Sequence, residues 1–431
     1  MESLLLWIIV LTVCSAIFLP YFVKFRRQQK ADISRKHEAA SLGADKPIAQ
    51  YPLIDIVRCI GCATCVKACP EQEVLGIVFG KATVINGLKC IGHGKCAEVC
   101  PVGAIQVGLG DIKDRDDIPL MNEFNETVIP NLFIAGELGG FALIKNAIAQ
   151  GTMVIDRIAS QPERTTDPEI KDVIIVGAGP TGMSAALNAV KNKLSYLVLD
   201  QQGAGGTILQ YPRKKIVLVQ PVEIPLFGYL KKSEYSKEEL LEIWLGLKEK
   251  YNLNIQVGEK VTNITQNDGY LTVESQDKLF KARNVVLALG RRGTPRKLGV
   301  PGENSAKVMY KLIDVESHQN EKILIVGGGD SAIEVAYGLA MQGTNKVTIS
   351  YRKNQFFRLK KKNAERITQL IKSGQVKTIM ESNIMEIQED SVYLDVKGNK
   401  GKLSNDYVFI FAGGEPPFKL LRKMGIKFGA D

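Results

Sequence analysis

The most informative absence in this 431-residue chain is that of cysteine after Cys100. The long remainder therefore has neither a disulfide framework nor an internal thiol pair for redox chemistry. Histidine and tryptophan are also scarce, with 3 and 2 residues. No low-complexity tract or nucleic-acid-binding motif accompanies the net charge of +10. We therefore expect the excess of cations to serve an anionic membrane surface, a phosphate-bearing cofactor or an acidic partner rather than nucleic acid.

The N-terminus carries a long uncharged run. Residues 4–23 read LLLWIIVLTVCSAIFLPYFV, which is about the length needed to cross the hydrocarbon core of a bilayer. By the positive-inside rule, the cations that follow predict a single-pass anchor at 1–30 in the cytoplasmic membrane, with the bulk of the chain in the cytoplasm. A cleaved signal peptide or a buried helix is the alternative, and polar residues 31–50 are expected to form a linker. The cations are Lys24, Arg26, Arg27 and Lys30.

Seven of the eight cysteines form a ladder in one short segment. It reads C-x2-C-x2-C-x3-C-P and then repeats this spacing with a histidine in place of the second cysteine. The ladder resembles that of bacterial two-cluster ferredoxins over roughly 55–107, which implies a small α+β domain at 51–110 with two [4Fe–4S] clusters. A structural zinc site or disulfides would be the other uses of such cysteines. In chain order the residues are Cys59, Cys62, Cys65, Cys69, Cys90, His93, Cys96 and Cys100.

The resemblance also implies how the ligands are shared between the clusters. The first cluster would bind Cys59, Cys62, Cys65 and Cys100, and the second would bind Cys69, Cys90, Cys96 and the residue at position 93. His93 as a ligand would remove a negative charge and raise the reduction potential, as histidine does in Rieske centres. A non-ligating His93 would leave a three-iron or water-capped cluster. We favour ligation, because one of only three histidines lies in register.

An apolar strand leads into a first glycine fingerprint, DVIIVGAGPTG. It fits G-x-G-x-x-G, the pattern that lets a pyrophosphate approach the N-terminus of a helix. The acid that ends the next apolar strand, YLVLD, lies at the distance expected of a carboxylate that binds a ribose hydroxyl. A glycine-rich turn without a ligand is the alternative. The predicted dinucleotide contacts are Gly177, Gly179, Pro180, Thr181, Gly182 and Asp200.

A second fingerprint, KILIVGGGDSAIEVA, follows at residues 322–336 and fits G-x-G-x-x-A. The next strand, KVTISYRKNQFFR, has cations where an NAD-specific site would have an acid, so NADPH is preferred over NADH. The lysines at 360–362 are interpreted as a solvated helix face. The predicted NADPH contacts are Gly327, Gly329, Asp330, Ser331, Ala332, Arg352, Lys353 and Arg358.

Two segments in which the chain crosses between the nucleotide domains, together with one loop, complete a resemblance to thioredoxin-reductase-like flavoproteins over about 111–431. The crossings are RNVVLALGRRGTPRKLGVPGE, with Ala288 and Gly290, and YVFIFAGGEPP, and the loop is GGTILQYP, with Gly206 and Thr207. The resemblance implies that the first fingerprint binds FAD. Thioredoxin reductases have a redox C-x-x-C shortly before GGGDSA, and the corresponding stretch here has no cysteine. The chain therefore resembles the ferredoxin–NADP reductase branch, which lacks that dithiol and passes electrons to an iron–sulfur protein.

The order of the segments departs from that superfamily. Its last strand and helix, which close the flavin site, are similar to ETVIPNLFIAGELGGFALIKNAIAQG at residues 126–151, which here come first. The resemblance therefore implies a circularly permuted flavin domain, in which Gly136 and Glu137 contact the phosphate and ribityl region of FAD. The helix that holds Lys145 would begin near the isoalloxazine and stabilise its reduced, anionic form. A chance surface strand and helix is the alternative.

The expected architecture is α/β, with two Rossmann-like dinucleotide-binding domains, the ferredoxin-like domain and one transmembrane helix. The expected function is oxidation of NADPH through FAD and the clusters to a ferredoxin-like or membrane-associated acceptor, without a catalytic side chain. The alternatives are a flavin-dependent reductase of thioredoxin or low-molecular-weight disulfides and a non-catalytic membrane redox sensor. The expected partners are NAD(P)H, an electron-transfer protein or membrane redox carrier, and in one interpretation a second copy of the chain. After residue 110 the predicted segments are 111–160 (permuted part of the FAD domain), 170–295 (FAD domain), 296–410 (NAD(P)H domain) and 411–431 (return to the FAD domain).

Overall fold

The chain folds into two compact units, Met1–Gly108 and Leu109–Asp431. The computed structural model describes residues 2–162, 165–213, 215–276, 278–291 and 293–429. Unit 1 contains the N-terminal helix and the cysteine ladder, and unit 2 contains both glycine fingerprints. Each unit has its own buried apolar core.

Unit 1 consists of one long helix and a small α+β body. Two antiparallel strand pairs form the body, Tyr51–Ile54 with Ile105–Gly108 and Leu75–Val78 with Lys81–Val84. Its core combines aliphatic side chains such as Val74 and Ile77 with the cysteines of the ladder. The helices are Glu2–Ser41, Thr64–Ala68 and Lys95–Glu98, with a 3₁₀ turn at Gly87–Lys89.

The helix Glu2–Ser41 joins the apolar run to the body without a break. Of the described helices, it is the one that is long and apolar enough to cross a bilayer. Its apolar part is exposed on all sides, whereas Phe25, Asp32 and Ala39 lie on one face that packs against the body. The prediction of a linker at 31–50 is therefore wrong for residues 31–41, because these residues are helical and one of their polar side chains, that of Asp32, is buried.

Asp32 is the buried polar residue on this face, with 1% of its surface exposed. Its carboxylate accepts a 2.8 Å hydrogen bond from the backbone N–H of Ile77, and further bonds from the side chains of Gln28 and Arg35. A buried carboxylate is tolerated only when it is paired and hydrogen-bonded in this way. The same contacts fix the helix on the second strand pair of the body.

The first fold of unit 2 is built on a seven-stranded sheet. Its central strand, Ile170–Val176, is apolar on both faces because both faces are covered. Helices Ile144–Ala159, Pro180–Lys191 and Lys237–Lys250 contribute to the core of one face. The strand order is Ile255–Val257, Tyr196–Asp200, Ile170–Val176, Lys278–Leu287, Leu271–Ser275 and Val261–Gln266, with Leu132–Ile134 also paired to Lys278–Leu287.

Residues before the first fingerprint belong to this same fold. Strand Leu132–Ile134 runs parallel to Lys278–Leu287, and helix Ile144–Ala159 packs closely against Pro180–Lys191. The other end of the chain joins the opposite face, where Phe428 is fully buried. The two chain ends of unit 2 thus meet in one fold, as a circular permutation requires.

The second fold of unit 2 carries the second fingerprint on a five-stranded parallel sheet. Helices Asp330–Ala340 and Lys361–Lys372 contribute to the core beside it. Thr294–Pro295 and Gly414–Glu415 form an antiparallel pair where the chain crosses between the folds. The sheet order is Val308–Met309, Tyr407–Ile410, Lys322–Val326, Lys346–Tyr351 and Val376–Met380, and a separate antiparallel sheet comprises Ser382–Ile387, Ser391–Val396 and Asn399–Ser404.

Smaller elements complete unit 2. Two antiparallel strand pairs follow strand Tyr196–Asp200 in the chain. They are Ile216–Leu218 with Glu234–Ser236 and Val222–Ile224 with Gly228–Leu230. The short helices are Phe418–Lys423 and the 3₁₀ turns Ile112–Asp114, Gly136–Gly139, Gly206–Gln210 and Val315–Ser317.

Asp117 joins the early segment of unit 2 to the loop that follows strand Lys278–Leu287. Arg115 donates two hydrogen bonds of 2.9 Å to its carboxylate, and Arg291 donates to its carboxylate at 2.5 Å and its carbonyl at 2.9 Å. Burial alone would raise the pKa of Asp117, but the two guanidinium groups hold this pKa below its ordinary value. The carboxylate is therefore charged at neutral pH and shared by both arginines.

Replacing Asp117 with Asn should destabilise unit 2 by on the order of 1–3 kcal/mol at neutral pH, because it removes the charge that both arginines share. A carboxylate with a lowered pKa stabilises the folded state at pH values above the ordinary carboxyl pKa. This stabilisation is lost as the pH falls through the folded-state pKa. The difference between wild type and variant should therefore shrink in acid. Urea unfolding at several pH values measures it, with exposed Asp116→Asn as the control. Equal effects of both substitutions would contradict the role of this network.

Candidate functional site

Four cysteines of the ladder line one small cavity in unit 1. They are the four predicted for the first cluster, Cys59, Cys62, Cys65 and Cys100. Alanine side chains at positions 63, 82 and 104 complete much of the wall. The cavity is thus shaped by small residues, which leave room for a group held between the sulfur atoms.

Several hydrogen-bond donors point at these sulfur atoms. The backbone N–H of Ala82 lies 3.4 Å from Sγ of Cys59, and that of Ala104 lies 3.2 Å from Sγ of Cys100. The hydroxyl of Thr64 donates to Sγ of Cys62 at 3.3 Å and lowers the pKa of this thiol. Such donors stabilise thiolates and adjust the reduction potential of an iron–sulfur cluster.

Cys69, Cys90 and Cys96 form the second group of thiols. Desolvation raises the pKa of all three, and at Cys69, where the charges of Cys90 and Cys96 add to the effect of desolvation, the pKa is about 11. Desolvation likewise raises the pKa of Cys65 in the first group to about 11. Free thiols with such values are protonated at neutral pH, so binding of iron must displace their protons.

His93 lies half-buried in the loop that precedes the helix with Cys96. Two glycines with left-handed backbone flank it, Gly92 at φ +73° and Gly94 at φ +89°. The carbonyl of Gly92 accepts a 3.0 Å hydrogen bond from the side chain of Gln50, which is buried against this loop. Gln50 was not predicted, and its buried amide fixes the backbone next to His93. Ligation of iron by His93 stays a prediction.

The arrangement of the thiols distinguishes clusters from zinc. Within the described parts of the chain, no three His, Cys, Asp or Glu side chains converge on one ion position. Tetrahedral zinc would bring its sulfurs to about 3.8 Å from one another, since each Zn–S bond is about 2.3 Å. In a cubane cluster each thiolate binds a different iron, so thiols spread around a cavity fit the cluster better. All eight cysteines are free, without disulfides.

The predicted FAD residues come together around the N-terminus of helix Pro180–Lys191. A Cβ atom at Gly177, where φ is +109°, would lie 2.5 Å from the carbonyl oxygen of Ala288. At Gly206 it would lie 2.8 Å from Cα of Gly179, and at Gly136 it would lie 2.3 Å from Oγ1 of Thr181. Four separate stretches of backbone therefore meet here with no side chains between them.

The helix N-terminus itself is open. A Cβ atom at Gly179 would meet nothing within 4 Å, and no side chain caps the helix, which begins with Pro180. Its first N–H groups lack intrahelical partners and lie at the positive end of the helix dipole. These features fit the pyrophosphate of a dinucleotide. Gly182 allows the helix to pack on the loop, since a Cβ there would lie 1.8 Å from the carbonyl oxygen of Gly177.

Asp200 holds the glycine loop from the end of its strand. Its carboxylate accepts hydrogen bonds from the backbone N–H groups of Ala178, Gln202 and Gly203 at 2.7, 2.6 and 2.7 Å. A carboxylate has about four lone-pair positions, so one is left for a ribose hydroxyl. Its predicted contact with ribose stays a prediction.

The remaining predicted FAD residues lie around this centre. Glu137 is exposed in the 3₁₀ turn Gly136–Gly139, and Lys145 is exposed in the first turn of helix Ile144–Ala159. Thr207 is half-buried in the turn Gly206–Gln210, and a Cβ at Gly290 would meet nothing within 4 Å. Their roles toward FAD stay predictions.

Two buried polar residues that the sequence did not single out position these loops. The side chain of Gln150 accepts a 2.7 Å hydrogen bond from the N–H of Gly136. The ammonium of Lys237 donates to the carbonyls of Leu209 and Tyr211 at 3.0 and 2.5 Å, and burial lowers its pKa. Neither residue belongs to a recognisable motif, so only the folded structure reveals these contacts.

The second fingerprint is packed from three sides. A Cβ atom at Gly327 would lie 2.4 Å from the carbonyl oxygen of Phe411, and one at Gly328 would lie 2.5 Å from the ring of Tyr351. At Gly329 it would lie 2.9 Å from the guanidinium of Arg358. Arg358 is thus next to the N-terminus of helix Asp330–Ala340. A cation at the positive end of a helix dipole needs an anion nearby; Asp330 is the acid in the first turn of this helix, and a nucleotide phosphate would supply a second anion.

The other predicted NADPH residues lie either directly after strand Lys346–Tyr351 or on helix Asp330–Ala340. Arg352 is exposed and Lys353 half-buried after strand Lys346–Tyr351, and no described carboxylate lies within ion-pair distance of either side chain. Asp330 accepts hydrogen bonds from the N–H of Lys360 and the side chain of Asn363 at 3.1 and 2.8 Å. Its carboxylate therefore joins two helices of the second fold. Ser331 lies half-buried and Ala332 buried on the same helix.

Two ion pairs connect the two folds of unit 2 close to these sites. Lys215, shortly after the turn Gly206–Gln210, lies 2.7 Å from the carboxylate of Glu334 on helix Asp330–Ala340. Arg213 lies 3.1 Å from the carboxylate of Asp314. The helix of the second fingerprint is thus held beside the loop region of the first.

Comparisons with known proteins agree with this geometry. A family model described as pyridine nucleotide-disulphide oxidoreductase matches residues 174–431, and a 4Fe-4S dicluster domain model matches 51–101. The chain is 28% identical over 268 residues to the ferredoxin–NADP reductase of Ignicoccus hospitalis, covering 60% of this chain and 82% of that protein. It is 29% identical over 282 residues to the thioredoxin reductase of Bacillus subtilis, covering 61% and 80%.

A solved structure shares the fold of unit 2. The bacillithiol disulfide reductase of Staphylococcus aureus superposes with a TM-score of 0.54 at 23% identity, covering 59% of this chain and 80% of that one. The predicted α/β architecture with two nucleotide folds and a ferredoxin-like domain is confirmed. The chain therefore belongs to the pyridine nucleotide-disulphide oxidoreductase family, as an FAD-dependent oxidoreductase with a 4Fe–4S dicluster domain ahead of its flavoprotein part.

Proposed function

We propose that this enzyme oxidises NADPH and passes the electrons through its own two clusters to a one-electron acceptor. The observation that carries the proposal is the distribution of cysteine. Unit 2 has the two nucleotide folds but no cysteine, whereas unit 1 has a four-thiol cavity and a second group of three thiols. Without a dithiol beside the flavin site, the clusters of the same chain are the available outlet for the electrons.

FAD, when bound, would supply the conversion between two-electron hydride chemistry and one-electron transfer. The chain would bind its pyrophosphate at the open N-terminus of helix Pro180–Lys191, where Gly179 leaves space. Gln150 and Lys237 would keep the surrounding loops in place through their bonds to Gly136 and to the turn Gly206–Gln210. No side-chain acid, base or nucleophile is required.

Arg358 supports NADPH as the electron donor. Its guanidinium beside Gly329 would bind a phosphate group together with the N–H groups of helix Asp330–Ala340. Arg352 and Lys353 would bind the 2'-phosphate, because no carboxylate lies in their place at the end of strand Lys346–Tyr351.

The N-terminal helix would hold the enzyme on the cytoplasmic membrane with both units in the cytoplasm. Its length and apolar composition, and the cations that follow residue 23, support this location. The electron acceptor would then be a ferredoxin-like protein or a carrier associated with the membrane.

An anaerobic titration of the purified full-length enzyme with NADPH tests the electron path. The absorbance of the flavin and the electron paramagnetic resonance signals of both clusters should change together, in the ratio of one flavin to two clusters. A flavin that is reduced while both clusters stay oxidised would contradict the path. It would favour a reductase of small disulfides that react directly at the flavin.

Changing Arg352 and Lys353 together to Gln should weaken binding of NADPH by about 1–3 kcal/mol and leave NADH nearly unaffected, because only NADPH has the 2'-phosphate. The measurement is the Kd of each nucleotide for the variant and the wild type. Lys362→Gln, on the exposed face of helix Lys361–Lys372, is the matched control. Equal losses for the two nucleotides would exclude the proposed contact.

His93→Cys should lower the reduction potential of the second cluster and preserve its four irons, because a thiolate adds the negative charge that imidazole lacks. His93→Ala should give a three-iron or labile cluster. Redox titration with electron paramagnetic resonance measures both outcomes, and His37→Ala, an exposed helix position in unit 1, is the control. An unchanged potential and an intact four-iron signal in His93→Ala would show that His93 is only a neighbour of the cluster.

A further inference from the structure

Unit 1 has a group of exposed apolar side chains beside its first cysteine cavity. We call this group the apolar tip and define it as Val57, Ile60, Phe79 and Val102, which are 88%, 63%, 80% and 39% exposed. Ile60 and Val102 line the cavity together with the cysteines. Gly61 joins Ile60 to the hairpin of Phe79, since a Cβ at Gly61 would lie 2.0 Å from the carbonyl oxygen of Gly80. The tip therefore borders the site of the first cluster.

Phe79 occupies an unfavourable position for its type. It is the first of two turn residues between strands Leu75–Val78 and Lys81–Val84, with φ +49° followed by φ +74° at Gly80. Turns of this kind favour Asn-Gly, and a bulky side chain with positive φ is a genuine outlier. The positive φ and the contact with water would both favour Asn over Phe at position 79. An aromatic residue is explained here if an apolar environment outside the chain accommodates it.

The contacts of helix Glu2–Ser41 show at which end of the body Phe79 lies. Arg35 lies 4.0 Å from Glu73, whereas Asp32 binds the N–H of Ile77, so the strand runs toward the N-terminus of the helix. Phe79 is two residues beyond Ile77, about 7 Å farther along. The turn at Phe79 and Gly80 therefore lies at the end of the body that is nearest the apolar part of the helix.

This end of the body lies close to the end of the apolar run. The uncharged run ends at Val23, and Phe25 already packs against the core of the body. Four cations follow the run on the helix, Lys24, Arg26, Arg27 and Lys30, and Arg58, next to Val57, pairs with Asp55 at 3.5 Å. Apolar side chains among cations, at the end of a membrane-length helix, match the composition of segments that lie in the headgroup region of an anionic bilayer.

We propose that the apolar tip inserts into the headgroup region of the membrane, so that the first cysteine cavity faces the lipid surface. This inference rests on the proposed anchoring of the N-terminal helix and adds a second membrane contact to it. The occupant is an anionic phospholipid bilayer, because the tip lies toward the apolar part of the helix and the helix carries four cations, between Lys24 and Lys30, directly after that part. Phe79 would then be buried in an apolar layer instead of exposed to water.

Photocrosslinking of the full-length enzyme in nanodiscs tests the contact. The discs contain zwitterionic and anionic phospholipids, and p-benzoylphenylalanine replaces one residue at a time at Phe18, Phe79 or Ile48. Phe18 reports on the anchor itself. Ile48 is the matched control, since it is an apolar residue of the same unit, 55% exposed, that follows the distant C-terminal end of the helix. Mass spectrometry identifies lipid adducts at each position.

Lipid adducts at positions 18 and 79, with at least tenfold fewer at 48, are expected. Adducts at 18 alone would overturn the insertion of the tip and leave the anchor intact, whereas their absence at 18 would overturn the anchor as well. Adducts at position 79 to a second protein chain instead of lipid would also overturn the proposal. A probe at Val57 gives an independent measurement, because Phe79→Asn suits the turn and should reduce lipid adducts at Val57 several-fold.

Discussion

Unit 2 depends on the close approach of backbone around the N-terminus of helix Pro180–Lys191. The loops of Gly136, Gly177 and Gly206 all lie where a side chain would collide with the helix or with its neighbours. Gly151 adds a fourth contact, since a Cβ there would lie 2.3 Å from the carbonyl oxygen of Thr181. This packing joins chain segments that are far apart in sequence and leaves the helix N-terminus open. The same constraint therefore builds the fold and the proposed phosphate site.

The close packing also holds the segments before the first fingerprint in the same fold as the segments after it. Strand Leu132–Ile134 and helix Ile144–Ala159 make their contacts through backbone pairing and through Gly136 and Gly151, which do not depend on the order of the segments. Asp117 then fixes the early segment to Arg291, at the crossing between the two folds. The chain before residue 109 forms a separate unit, which contains the cysteine ladder.

The sequence predicted those features whose chemistry is local. The spacing of Cys59, Cys62 and Cys65 and the glycines of both fingerprints are encoded within a few residues, and the structure brings them together as expected. Asp32 was missed because a polar residue is buried only where a distant N–H, that of Ile77, can bind it. The polar composition of residues 31–41 therefore led to the wrong prediction of a linker there. The bond from Asn363 to Asp330 was missed for the same reason, since Asn363 lies on another helix; the contact of Asp330 with NADPH stays a prediction.

The continuity of helix Glu2–Ser41 has a geometric consequence for unit 1. Successive helical residues are about 100° apart around the axis, so the residues that face the body also fix its direction around the membrane segment. Phe25 and Asp32 are seven residues apart, which keeps them on one face. With no break between Val23 and Phe25, neither the height nor the side of the body is left to a flexible linker. An anchor of the proposed kind would therefore set which surface of unit 1 meets the membrane.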